Sequence, residues 1–359
     1  MSRIVSTLRS LTVPLAAVVL ALVIGDIILV VSNASPVDAY AALYKGAFGN
    51  IKALGRTLEK STPLILSGLA VAFAFKAGLF NIGGQGQLLM GALAAGVAGY
   101  AITGLPAVIH IPLALLIGMV VGGLWGAIPG ALKAYTGSHE VIVTIMMNFI
   151  AINLTDYLAD GPLKDSSGGG GGVIARTPPI EPSAAIPTLG TVPTGFLMAV
   201  VIAAITWYVL QRTTIGYEIR TVGLNPDAAR YAGIKVARTI ILTMFLSAVF
   251  AGMGGAIETL GVVGRFQPGF NAGLGFDGIT IALLGKTNPF GVIPAALLVG
   301  AMRAGSSQMQ FDADVSPEII DVILAMMLFF VAADMIVRWI IRVRAQEGEQ
   351  VTLSTGWGS

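Results

Sequence analysis

The chain has 359 residues, of which 55% are hydrophobic and 11% are charged, and its formal net charge is +2. Soluble domains carry about 25% charged residues, so this composition excludes an ordinary soluble protein and predicts an integral membrane protein. The absence of cysteine excludes disulfides, thiolate metal sites and cysteine nucleophiles, and the two histidines make a His-rich metal site unexpected.

The predicted elements are apolar segments. A segment needs about 20 apolar residues to cross a bilayer. Ten segments approach this criterion, namely residues 11–31, 57–75, 80–102, 107–132, 139–158, 194–211, 239–262, 276–286, 289–305 and 317–341. The eighth is too short to span and is predicted as a half-helix or re-entrant segment. The expected fold class is an all-α integral membrane protein with about ten transmembrane segments.

The positions of lysine and arginine predict the orientation of the chain. With the N-terminus inside, 13 of the 21 basic residues fall on the cytoplasmic side. The positive-inside rule therefore predicts that both termini are cytoplasmic. We expect one transmembrane domain over residues 1–345 and a cytoplasmic tail over 346–359.

Residues 33–56 are predicted to lie outside, although they carry Lys45, Lys52 and Arg56. Apolar side chains recur there at helical spacing, which predicts an amphipathic helix on the outer surface. These side chains are Tyr40, Leu43, Tyr44, Ala47, Phe48 and Ile51.

A polar motif, FNIGGQGQ, occupies residues 80–87 at the start of an apolar segment. Polar groups inside a membrane are costly unless the segment is broken and faces a polar cavity. The amides of Asn81, Gln85 and Gln87 would then bind an uncharged polar solute, and Asn148 could line the same cavity. Alternatively, the amides bond neighbouring helices and the glycines allow close packing, which is the favoured interpretation for Asn148.

Four carboxylates, Glu258, Asp277, Asp321 and Asp334, lie near predicted span ends, so snorkelling or capping is expected of them. Asp26 lies deeper and could be a proton site of an ion-coupled secondary transporter. Because no chain of acidic or histidine partners accompanies it, a structural carboxylate is favoured there.

Two glycine-containing stretches do not fit a phosphate-binding loop. Residues 159–193 are predicted outside and contain five consecutive glycines at 168–172, which predict mobility. This loop either caps a pore, receives a partner or is simply tolerated, and the last interpretation is slightly favoured.

Gly285-Lys286-Thr287 lacks the first glycine of a P-loop, since Thr280 stands there. Any ATPase is therefore expected to be a separate chain.

Residues 212–238 form the longest charged run between two apolar segments, on the predicted cytoplasmic side. Asn225 as N-cap, Pro226 at the first helical position and Asp227 beside the positive end of the dipole predict a helix start. Gly233 predicts its end. A helix of about seven residues is unstable alone, so its small-residue surface is expected to fit a groove on another protein. An equally weighted alternative is that this is an ordinary helix in a cytoplasmic loop, with no role in binding a partner.

Four motifs together resemble the permease subunits of bacterial ABC importers, a group that includes ribose and branched-chain amino acid permeases. The resemblance is closest to nucleoside importer permeases and covers about residues 63–337. The motifs are FNIGGQGQ (80–87), HEVIVTIMMNFIAI (139–152), VGLNPDAARYAGI (222–234) and GFDGITIALLGKTNPFGVIPAAL (275–297).

This resemblance implies a subunit of the inner (plasma) membrane that imports nucleosides or a related solute such as a sugar. It implies a second permease, identical or related, a cytoplasmic ATPase dimer and an extracytoplasmic substrate-binding lipoprotein, with no cofactor, no nucleic acid and no catalytic residues in this chain. The segment that would couple to the ATPase comprises Gly223, Asn225, Pro226, Asp227, Ala228, Ala229, Arg230, Tyr231 and Gly233. One departure is Gln85, where many relatives carry Glu. The alternative is an ion-coupled secondary transporter.

Overall fold

The fold is taken from a computed structural model that describes residues 2–165, 174–269, 273–333 and 337. The glycine run 168–172, Asp334 and the tail 346–359 lie outside these residues. The described chain forms thirteen α-helices: α1 (Ser2–Val31), α2 (Pro36–Phe48), α3 (Ile51–Phe75), α4 (Gly84–Ala101), α5 (Ala107–Thr136), α6 (Glu140–Asp160), α7 (Thr194–Arg212), α8 (Thr214–Leu224), α9 (Pro226–Tyr231), α10 (Val236–Glu258), α11 (Leu274–Leu284), α12 (Pro289–Ala313) and α13 (Glu318–Ala332).

Few other regular elements occur in this part of the chain. A π-helical turn, Thr259–Val263, continues α10, and a 3₁₀ turn spans Pro182–Ala184. Two short antiparallel strands, β1 (Thr188–Leu189) and β2 (Val192–Pro193), make a small hairpin. The all-helical prediction is therefore confirmed.

The lengths of the helices support a membrane protein. Seven of the described helices are long and apolar enough to cross a bilayer, at Thr12–Val31, Ile51–Phe75, Ala107–Thr136, Glu140–Asp160, Thr194–Arg212, Val236–Val263 and Pro289–Ala313. Helices α4, α11 and α13 lie in the three remaining predicted segments. The short eighth segment is indeed a short helix, because α11 has only 11 residues and is about 16 Å long.

Two predicted boundaries were wrong. Helix α3 begins at Ile51 rather than at residue 57, because the Asn50 side chain caps it by accepting from Ala53 N at 2.9 Å. The predicted outer segment 33–56 therefore consists of α2 and the first turns of α3. Helix α12 continues to Ala313 instead of ending at 305, and Lys45 of α2 pairs with Asp312 in these added turns at 3.0 Å.

Helix α2 has two different faces. Its small residues Ala39, Ala42 and Gly46 are buried, and α12 is its main packing partner. Its aromatic residues Tyr44 and Phe48 remain exposed. This division agrees with a helix that lies on the surface of the bundle.

The core of the bundle is built around α3. Every residue from Ser61 to Ala74 is buried, and α3 packs against α7, α10, α11 and α12. A second group of helices, α4, α5 and α10, forms a closely packed block beside it.

Glycines bring the backbones of this block into direct contact. A Cβ atom at Gly255 of α10 would lie 2.0 Å from the carbonyl oxygen of Leu88 in α4, and one at Gly91 would lie 2.4 Å from the oxygen of Gly252. Helices in a membrane associate mainly through such close packing, since lipid is as apolar as their side chains. The high glycine content of the chain is thus used to hold these helices together.

A pair of neighbouring glycines tests this packing. We expect Gly255→Ala to destabilise the protein by about 1–3 kcal/mol, because the methyl group forces α10 away from α4. Gly254→Ala is the matched control, since its Cβ would lie no closer than 3.4 Å to Leu66 and alanine favours a helix. The thermal midpoint of the purified protein in detergent measures both effects, and equal midpoints would contradict the packing argument.

Candidate functional site

Asn81 lies in the break between α3 and α4 and is completely buried. Its Nδ2 donates to Gln87 Oε1 at 3.0 Å and to Ser247 Oγ at 2.8 Å. Its Oδ1 accepts from Gln87 Nε2 and from Gly83 N, both at 3.0 Å. Ser247 of α10 donates in turn to the carbonyl oxygen of Ala70 in α3 at 2.7 Å. The reciprocal amide pair thus ties α4 to α3 and α10.

Two further amides tie the start of α4 to other helices. Asn148 of α6 accepts from Gly86 N at 2.8 Å and donates from Nδ2 to the oxygen of Ile82 at 2.9 Å. Gln85 accepts from Gly275 N of α11 at 2.9 Å through Oε1. We call Asn81, Gln85, Gln87 and Asn148 the amide cluster.

The amide cluster is closed in this conformation. The predicted break is present, since residues 76–83 are not helical. None of the four side chains is more than 3% exposed, and they bond to protein groups. They line neither of the two cavities described below. The arrangement favours the interhelical interpretation for this state of the protein.

A polar cavity of about 230 Å³ lies instead among α3, α10, α11, α12 and α13. Its apolar walls are Pro63, Leu274 and Ile320. Its polar lining consists of Lys60, Glu258, Arg303, Ser306, Glu318 and Asp321.

Arg303 of α12 organises one side of the polar cavity. Its Nη2 lies 2.6 Å from Asp277 Oδ2 at the start of α11 and 3.2 Å from Asp321 Oδ1 in α13. Its Nε also donates to Asp277 Oδ2 at 2.9 Å. Asp277 and Asp321 therefore join three helices through Arg303, and both also lie in the first turn of their own helix, where capping was expected.

Glu258 ends α10 on the other side of the polar cavity and is only 4% exposed. Its carboxylate borders the polar cavity and a second, smaller cavity, which the π-helical turn and the hairpin of β1 and β2 also line. Among the described residues, no hydrogen bond or ion pair satisfies its carboxylate. The carboxylate therefore faces these cavities without a protein partner among the described residues.

Sequence analysis did not single out Lys60 or Arg303 as site residues. Arg303 offered a signal, because an ionisable residue inside an apolar segment marks a functional site by default. Lys60 offered none, because it belongs to a run of charges at the mouth of α3.

The described end of the loop between α6 and α7, residues 174–193, packs over the bundle. Ile180 N donates to the oxygen of Gly264 at 2.9 Å, and Ile186 N donates to that of Leu260 at 3.0 Å. The hairpin approaches α3 so closely that a Cβ at Gly55 would lie 2.6 Å from the oxygen of Thr191. A second cavity of about 20 Å³ lies between the hairpin and Glu258. These contacts favour the cap interpretation of the loop.

The predicted helix in residues 212–238 is present as α9. The Asn225 side chain accepts from Asp227 N at 2.9 Å and from Ala228 N at 3.0 Å, and Gly233 ends the helix with φ of +81°. Helix α8, which precedes α9, was not predicted. The capping prediction is thus confirmed, and the helix has six residues instead of seven.

The exposed face of α9 differs from the prediction. Ala229 is completely buried, because α9 packs against α8 and α10, so Ala229 cannot touch a partner. Tyr231 is 95% exposed and Leu224 is 83% exposed. We call the exposed surface around them the Leu224–Tyr231 surface; it also contains Asn225, Pro226, Asp227, Ala228, Arg230 and Gly233.

The end of α8 touches the connection after α3, and that connection bonds in turn to the one between α11 and α12; we call this place the Lys76 joint. A Cβ at Gly223 would lie 2.2 Å from the oxygen of Lys76, just after α3. Lys76 Nζ donates to Thr287 Oγ1 at 2.7 Å, between α11 and α12. Burial lowers the pKa of the Lys76 ammonium, and the nearby Arg220 charge lowers this pKa further. The loop carrying α8 and α9 is therefore in contact with the segment that leads to the amide cluster.

Comparison with known proteins adds evidence of a different kind. Residues 53–332 match the family described as the permease component of the branched-chain amino acid transport system. The chain is 42% identical over 354 residues to the guanosine ABC transporter permease protein NupP of Bacillus subtilis, covering 96% of this chain and 99% of NupP. No solved structure matches it significantly.

Two other relatives match over most of their length. The glucose ABC transporter permease protein TsgB13 of Haloferax volcanii is 36% identical over 330 residues, covering 88% of this chain and 86% of TsgB13. The nucleoside ABC transporter permease protein NupB of Lactococcus lactis is 34% identical over 357 residues, covering 97% of this chain and 98% of NupB.

Two asparagines of α6 test the role of the amide cluster. We expect Asn148→Ala to destabilise the protein by about 1–3 kcal/mol, because it leaves Gly86 N and the Ile82 oxygen buried without partners. Asn153→Ala is the control, since Asn153 is exposed and donates only to Phe149 of its own helix. The thermal midpoint in detergent measures the difference. A stable Asn148→Ala protein would instead favour a direct role in binding solute.

Proposed function

The chain belongs to the family of permease components of the branched-chain amino acid transport system, and we propose that it carries nucleosides through an ATP-driven importer. The observation that carries this proposal is the near full-length identity of 42% and 34% to chains named as guanosine and nucleoside permeases. A relative named as a glucose permease makes sugars the second solute class. Ribonucleosides and glucose share a ring with adjacent hydroxyl groups.

The proposed orientation places both termini in the cytoplasm. Ten helices, α1, α3 to α7 and α10 to α13, then lie in the inner (plasma) membrane, with α11 as a half-helix. The distribution of basic residues supports this arrangement. The polar cavity and the loop over it then belong to the outer half, while the Lys76 joint and the Leu224–Tyr231 surface belong to the cytoplasmic side.

In this orientation, an extracytoplasmic binding lipoprotein delivers solute to the polar cavity. The amide cluster forms the closed barrier on the cytoplasmic side of that cavity. When the barrier opens, Asn81, Gln85, Gln87 and Asn148 exchange bonds to each other for bonds to the passing solute. Such an exchange has a small net cost, because one set of hydrogen bonds replaces another.

The motor is a cytoplasmic ATPase dimer that docks on the Leu224–Tyr231 surface. Tyrosine is enriched among the side chains that anchor protein interfaces, and Tyr231 is 95% exposed. Movement of α9 and α8 reaches the α3–α4 connection through the contact of Gly223 with Lys76. The amide cluster begins a few residues beyond that contact, so the docking surface and the barrier are mechanically connected.

A second permease subunit, identical or related, completes the membrane part of the importer. Helices α5 and α6 present large apolar side chains to their surroundings, which suit membrane lipid and a second bundle equally well. These side chains include Leu116, Val120, Leu124, Met146, Phe149 and Ile150.

Reconstitution tests the proposed function. Proteoliposomes that contain this chain, its second permease, the ATPase and the binding lipoprotein are expected to accumulate radiolabelled guanosine only when ATP reaches the ATPase. A fall in guanosine uptake when unlabelled glucose is added in excess would identify a sugar importer. Uptake by this chain alone under a proton or sodium gradient, without ATP, would instead support an ion-coupled secondary transporter.

Tyr231→Ala tests the docking surface. Because truncating an interface anchor costs at least about 2 kcal/mol, we expect ATPase co-purification to fall more than tenfold while the amount of protein in the membrane stays constant. Tyr157→Ala is the matched control, since Tyr157 is 68% exposed near the opposite end of the bundle. Equal ATPase binding by wild type and Tyr231→Ala would contradict the proposal.

Ala229→Asp separates docking from folding. This substitution places an unpaired carboxylate in a position that α8 and α10 bury. It is therefore expected to lower the thermal midpoint of the chain itself, which Tyr231→Ala leaves unchanged.

A further inference from the structure

We propose that Glu258 binds the two adjacent ring hydroxyls of the transported solute. The inference rests on the proposed function and assigns to this chain a part of solute recognition. It starts from a buried carboxylate that faces a polar cavity and lacks a partner in the described structure.

The neighbours of Glu258 do not neutralise it by direct contact. Lys60 lies close enough for an electrostatic attraction, yet the two side chains make no ion pair within 4.0 Å. Arg303, across the polar cavity, is already engaged by Asp277 and Asp321. Glu59 adds a second negative charge nearby. Glu258 is therefore available to a ligand.

An unpaired buried carboxylate is energetically unfavourable, because burial removes water without supplying other donors. A solute that brings hydrogen-bond donors to this carboxylate therefore gains more binding free energy than it would gain from an exposed carboxylate. An ionised carboxylate has two oxygens that only accept hydrogen bonds. The matching group on a neutral solute is therefore a pair of neighbouring donors.

Adjacent ring hydroxyls supply such a pair. Ribonucleosides of every base carry them, and glucose carries them as well. The N–H groups of the bases differ from one nucleoside to another and are absent from glucose. The hydroxyl pair is thus the donor group common to the solute classes proposed for this family of chains.

The rest of the polar cavity suits a solute whose adjacent hydroxyl groups face Glu258. Pro63, Leu274 and Ile320 offer apolar surface to the faces of a sugar or base ring. Glu258 also borders the second cavity below the hairpin of the external loop, so it lies where the cap meets the polar cavity. A solute that enters beneath the cap meets this carboxylate at once.

The test compares one solute with the same solute lacking both hydroxyls. Uptake of guanosine and of 2′,3′-dideoxyguanosine is measured with the complete importer in proteoliposomes, for wild type and for Glu258→Gln. Wild type is expected to prefer guanosine by at least about tenfold, since hydrogen bonds to a charged group contribute about 1.5–3 kcal/mol. Glu258→Gln keeps the shape but only one acceptor oxygen, so the preference is expected to fall about tenfold or more.

Glu181→Gln is the matched control, because it makes the same chemical change in the loop before α7, at a residue that lines neither cavity. It is expected to keep the wild-type preference. The binding lipoprotein is the same in all three importers, so its own selectivity cancels in the comparison. ATPase co-purification with each variant confirms that the importer has assembled.

Each result bears on a different claim. An unchanged preference in Glu258→Gln, or an equal loss for both solutes, would overturn the assignment of Glu258 and leave the proposed function intact. A wild type without any preference would do the same. Absence of ATP-dependent guanosine uptake by wild type would contradict the proposed function itself. If Glu258→Gln fails to assemble, Glu258→Ala replaces it, and an unchanged preference for guanosine in that variant also overturns the assignment.

Discussion

The structure depends on one constraint, which is that polar groups removed from water must find partners inside the protein. The break between α3 and α4 exposes backbone groups in the interior, and Asn81 and Asn148 satisfy several of them. Through Asn148, Ser247 and Gln85, the cluster fixes the start of α4 against α6, α10 and α11 at the same time. Glu258 differs, since its carboxylate borders two cavities and has no protein partner among the described residues.

The bundle has one part that is held by close backbone packing and another part that is held by side chains and short connections. Glycine contacts lock α4, α5 and α10 at backbone distance, which leaves no room for sliding without loss of packing. The ion pairs of Arg303 and the Lys76 joint involve side chains and short connections, which can rearrange at lower cost. Movement is therefore expected at the two ends of α11 and α12 and not within the glycine block.

Sequence patterns predicted the helices of this fold well but predicted the contacts between them poorly. Apolar length and the capping residues around Asn225 depend on neighbours in the sequence, so the ten helical segments and α9 could be foreseen. The burial of Ala229, the partners of Asp277 and the closure around Asn81 depend on helices far away in the chain. Glu258 shows the difficulty most clearly, because a hairpin about 70 residues earlier in the sequence forms part of the second cavity that it borders.

The half-helix α11 begins beside the polar cavity, where Asp277 meets Arg303, and ends at the Lys76 joint, where Thr287 accepts from Lys76. Eleven residues in a helix are stiff over this distance of about 16 Å. Its two ends therefore cannot change their surroundings independently. If solute alters the first and the ATPase alters the second, thermodynamic linkage requires each ligand to change the affinity of the other by the same factor. Substrate sensing would then be an equilibrium property of one short helix.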